Sequence, residues 1–65
     1  MTVFIAITAD EFELPMLVTP DMKEIMRFLD RPANGISQMI LTGRVHRRMN
    51  CKVIKIKMEA DDELN

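Results

Sequence analysis

The chain has 65 residues, enough for one small domain and too few to divide between two cores. Apolar residues make up 48% and charged residues 29%, a balance that excludes wholesale disorder, and the formal net charge is -1. Seven Met and three Phe, with no Trp or Tyr, point to a core of adaptable side chains.

The first strand is expected at "VFIAIT", residues 3 to 8, which is β-branched and apolar. A short polar break, "ADE", leads to a second strand over residues 12 to 19, "FELPMLVT", so the two form a hairpin. Pro15 has no N–H for a ladder bond, which places this strand at an edge or starts its regular pairing only at Met16. Asp10, Glu11 and Glu13 gather in the hairpin, and an acid-rich turn of this kind is expected to be solvated.

"TPDMKEIMRFLD" reads as a helix start, with Thr19 as N-cap, Pro20 at the first helical position and Asp21 facing the helix dipole. Met22, Ile25, Met26 and Leu29 then recur at i, i+3, i+4 and i+7 as one apolar stripe. After "DRPA" a shorter helix runs from Ala33 or Asn34 to Thr42, with Ile36, Met39 and Ile40 inward and Gly43 ending it in a left-handed conformation. Asn34, Ser37, Gln38 and Leu41 are left facing outward. A basic connection, "RVHRRMN", leads to a last strand over residues 51 to 58, "CKVIKIKM", in which Ile54, Ile56 and Met58 are expected to pack while the alternate face is mostly lysine.

The expected architecture is therefore α+β, in the order β-β-α-α-β, a three-stranded antiparallel sheet packed with a helix-turn-helix. One domain covers residues 1 to 58, and residues 59 to 65, "EADDELN", read as an acidic, disordered tail.

The net charge conceals a strong segregation. Residues 1 to 30 hold six acids against Lys23 and Arg27, whereas residues 31 to 57 hold Arg31, Arg44, Arg47, Arg48, Lys52, Lys55 and Lys57 with no acid at all. An unopposed basic block is a candidate polyanion surface. In a helix-turn-helix the first helix braces the second, whose outer face enters the major groove of DNA. Amides such as those of Asn34 and Gln38 pair bidentately with adenine, a hydroxyl such as that of Ser37 meets bases or phosphate, and Leu41 fits a thymine methyl. Arg31, Arg44, Arg47, Arg48 and Lys52 are the expected phosphate contacts.

The succession "ADEFELPMLV", "TPDMKEIMRFLDRPANGISQMILTGR" and "CKVIKIKM" resembles the small helix-turn-helix proteins of phages and mobile elements of Gram-positive bacteria, and is similar to the modular DNA-binding repeat of phage homing endonucleases. The resemblance covers residues 3 to 58 and implies double-stranded DNA binding, as a regulator or accessory factor, without catalysis. The chain departs from the family pattern in three places: Asp30 stands where a turn glycine is usual, Arg31 replaces an apolar turn residue, and Met26 replaces a small one.

Other chemistry has little to draw on. His46 is the only histidine and within "RVHRR" reads as an exposed member of the basic patch, while Cys51 reads as a small core residue. One Cys and one His complete neither a disulfide nor a zinc set, so no cofactor is expected and a reducing cytoplasm fits. No stretch approaches the roughly 18 apolar residues of a membrane span. A homodimer is a further expectation for so small a core. The competing function is a non-catalytic protein-interaction module; RNA binding ranks third, because no aromatic is placed for base stacking.

Overall fold

The computed structural model describes residues 1 to 58, so the acidic tail lies outside the described residues. Strands β1 (Thr2–Thr8), β2 (Pro15–Thr19) and β3 (Cys51–Lys57) form one antiparallel sheet in the order β2-β1-β3, and helices α1 (Met22–Leu29) and α2 (Ala33–Thr42) pack on one side of it. The α+β architecture and the element order are those expected.

The hairpin turn is held by one carboxylate. Asp10 Oδ1 accepts from the Thr8 hydroxyl at 2.8 Å and from the amides of Phe12 and Glu13 at 3.0 and 3.1 Å. This leaves residues 12 to 14 in the turn rather than in the strand, and Glu13 there has a positive φ of 48°. β2 begins at Pro15, opposite Ile7, with a shift of register between Ala6 and Ile7. The edge position suits a residue without a donor.

Thr19 does not cap α1. It is the last residue of β2, still paired with Phe4, and the N-cap is Asp21, whose side chain accepts from the amide of Lys23 at 3.0 Å. A residue held in the ladder cannot also open the next helix. The buried Thr19 hydroxyl supports the cap instead, accepting from the amide of Asp21 and donating to the carboxylate of Glu24. Asp30 closes α1 in the left-handed conformation, φ 55° and ψ 51°, which Asp tolerates better than most side chains, and the turn to α2 is three residues long. Gly43 ends α2 at φ 73°, as expected.

Ile25, Leu29, Ile36 and Met39 turn inward and meet Phe4, Ala6, Cys51 and Val53 in one core, with Met22, Met26, Phe28 and Ile40 packed around it. Burial also pushes the Cys51 thiol pKa up. The expected face of β3 is reversed. Cys51 and Val53 enter the core, Val53 opposite Ala6, whereas Ile54 and Ile56 lie on the side of the sheet away from the helices. Lys55 and Lys57 share the helix side and stay exposed. The pairing register decides the face: Val53 stands opposite Ala6, which the helices cover, so Cys51, Lys55 and Lys57 share that side.

Candidate nucleic-acid interface

Asn34, Ser37, Gln38 and Leu41 recur at i, i+3, i+4 and i+7 along α2, and all four are exposed, Leu41 at 79%. Ile36 and Met39 anchor the helix from the opposite side, so the outer stripe is held by the core rather than by its own contacts. α2 differs from α1 in its start. α1 is capped by Asp21 with Glu24 in its first turn; α2 follows Pro32, has no side-chain cap and carries no acid in its first turn. No acid within its own first turn therefore opposes the positive end of its dipole.

Two hollows touch α2. One, of about 260 Å³, is lined by Arg31, Met39, Arg44, Val45, His46 and Arg47. Arg31 comes from the turn between the helices, and Arg44 and Arg47 come from the connection after α2, so residues 13 or more positions apart in sequence meet around one concavity without an acid among its lining. The other hollow, of about 480 Å³, lies between α2 and the sheet, where Ser37, Ile40 and Leu41 face Thr2, Phe4, Met22 and Lys55. Lys55 was not among the expected contacts, because its place depends on the reversed face of β3.

His46 is not an exposed member of the patch. Its exposure is 3%, its Nε2 lies 2.9 Å from the carbonyl oxygen of Leu29, and its Nδ1 accepts from the amide of Met49 at 3.2 Å. His46 also pairs through its backbone with Cys51, in both directions at 2.7 and 3.3 Å. Residues 47 to 50 thus form a tight turn, with Asn50 at φ 51°, rather than a loose basic stretch. The imidazole takes up a carbonyl at the C-terminus of α1 that the helix itself leaves unpaired. Nothing in the local pattern "RVHRR" announces this, since the partner lies 17 residues away.

The structure does not bring all expected phosphate contacts together. Arg31, Arg44 and Arg47 converge; Arg48 is exposed on the same turn but outside the concavity. Lys52 sits on the sheet face away from α2, opposite Ile7, and its ammonium pairs with Glu13 at 3.1 Å. Among the described residues no three His, Cys, Asp or Glu side chains gather as a metal set, and no helix is long and apolar enough to cross a membrane. Comparison with protein-family models, curated proteins and solved structures found no match to this chain.

Proposed function

We propose that this domain binds double-stranded DNA with sequence preference, α2 lying in the major groove. The observation that carries the reading is the convergence of Arg31, Arg44 and Arg47 on one acid-free hollow that α2 joins through Met39, the helix whose exposed stripe is Asn34, Ser37, Gln38 and Leu41. Cations so placed would meet phosphates beside the groove and set the helix in register, while the two amides, the hydroxyl and the leucine methyls would address base edges. An α-helix about 10 to 12 Å across with its side chains fits a groove about 12 Å wide. Lys55, at the rim of the second hollow, joins the phosphate contacts in this reading, and Lys52 leaves them. A role as regulator or accessory factor of a phage or mobile element is the biological setting that the sequence resemblance adds.

The test is fluorescence anisotropy with random and selected duplexes over a range of salt. Affinity should fall as salt rises, and Arg44→Ala with Arg47→Ala should reduce the slope of log K against log salt by about 2. Gln38→Ala should narrow the gap between selected and random duplexes by a factor of roughly 5 to 100 while leaving the salt slope in place. Binding indifferent to salt, or untouched by loss of both arginines, would remove the proposal.

A further inference from the structure

The register of the sheet assembles a second apolar surface that the fold does not cover. Val3 pairs with Ile56, and Ile5 lies between Ile54 on β3 and Val18 on β2. These five residues share the side away from the helices, and none belongs to the core. Val18 is 58% and Ile56 42% exposed, Val3, Ile5 and Ile54 are half-buried, and Ile7 on the same side is buried. Lys52 is the one charged strand residue on this side, and Glu13 already pairs with it. A sheet that is apolar on both faces needs cover on both, and here the helices supply it on one.

The edges of the sheet are protected where this face is not. β2 carries Pro15 and an irregular register, and β3 carries Lys52, Lys55 and Lys57 along its outer edge. Both devices discourage another strand from adding laterally. Association is thereby directed to the face.

We propose that two copies of this chain pack these faces against each other, forming a two-layer sheet sandwich with the helices outermost. A symmetric contact requires a patch that tolerates its own image. Val3, Ile5, Val18, Ile54 and Ile56 meet that condition, since apolar side chains lie over apolar side chains and the one lysine on this side, Lys52, is paired with Glu13. Among the described strand residues on this side, none offers an unpaired charge to an acidic or basic partner. Two strands about 23 Å long and one of about 17 Å, spaced about 4.8 Å apart, present a plane of roughly 300 Å² per copy, and with the relief of the side chains a facing pair removes on the order of 1,000 Å² from solvent, the size of a weak specific interface. The contact leaves α2 and the arginine hollow uncovered, and it holds whether or not α2 reads DNA.

Sedimentation equilibrium of the full chain from about 1 to 500 µM tests the contact, since a small interface implies micromolar dissociation. The expected species at the upper end has twice the 7.5 kDa mass of the chain. Val18→Lys and Ile56→Lys, both at exposed positions, should raise the dissociation midpoint by roughly tenfold or more through burial of unpaired charge, with an unchanged far-ultraviolet spectrum. Leu41→Lys, on the helix side, should leave the midpoint where it is. A measurement without variants gives the same answer: on dilution of the unaltered chain, amide shifts should change at Val3, Ile5, Val18, Ile54 and Ile56 rather than along α2. A chain that stays monomeric throughout, whose face then has another occupant or none, overturns the proposal. So does a dimer whose dilution shifts fall on α2 or on the edge of β3.

Discussion

His46 joins the basic connection to the helix pair: its Nε2 donates to the Leu29 carbonyl at 2.9 Å while its Nδ1 accepts from the amide of Met49 at 3.2 Å. Met49 reaches the core from the same turn, so the segment bearing Arg44 and Arg47 is fixed at both a polar and an apolar point. Removing the imidazole leaves a carbonyl at the end of α1 without that partner. His46→Ala should cost about 2 kcal/mol of stability, within the range for an orphaned buried hydrogen-bonding group, measured by urea denaturation. Amide exchange should quicken across residues 44 to 50 before it does so in β1.

The hairpin turn offers a prediction in acid. The Thr8 hydroxyl, and then the amides of Glu13 and Phe12, hold the Asp10 carboxyl below its ordinary range. Because the folded value lies below the unfolded one, the contribution is complete above the ordinary carboxylate value of about 3.9 and is lost as pH falls through the lower folded value. Melting temperatures of the unaltered chain and of Asp10→Asn should therefore differ near neutrality and converge in strong acid. Parallel curves down to the lowest pH at which the chain folds would contradict this.

Gly35 lies inside α2, where it weakens the helix relative to alanine. A Cβ built there would meet Pro32 at 3.5 Å and Arg31 at 3.7 Å, ordinary van der Waals separations. Gly35→Ala should stabilise the chain by about 0.5 to 1 kcal/mol in thermal or urea unfolding, through helix propensity and a less mobile unfolded state. A loss of stability would mean that the turn at Arg31 and Pro32 is tighter than these separations imply.

The sequence pattern carried the elements well where one period dominated. The stripe from Met22 to Leu29 and the placement of Ile36 and Met39 follow from helical spacing alone, as does the stop at Gly43. β3 shows the limit. Its alternation is apolar enough on both faces that periodicity identifies a strand without saying which side the helices cover; that depends on the pairing of Val53 with Ala6. Thr19 shows another limit, since a good capping residue was already committed to the ladder opposite Phe4. For the candidate site, exposure of Asn34, Ser37, Gln38 and Leu41 follows from the stripe. The separation of Lys52 from the three arginines follows only from the sheet, and the burial of His46 only from the folded turn.

The first and last described residues are hydrogen-bonded to each other. The N-terminal ammonium of Met1 donates to the Met58 carbonyl at 2.8 Å, and the amide of Met58 donates back to the carbonyl of Met1. This follows from β1 and β3 being antiparallel neighbours, and it makes the domain's entry and exit a single doorway. A linker of about three residues would join them, and new ends opened in the exposed turn at Asp10 and Glu11 would leave every strand pairing intact. Residues 1 to 58 are in this sense close to a ring, and that stretch could be rewired as a circular permutant or set into a surface loop of a host protein without parting β1 from β3.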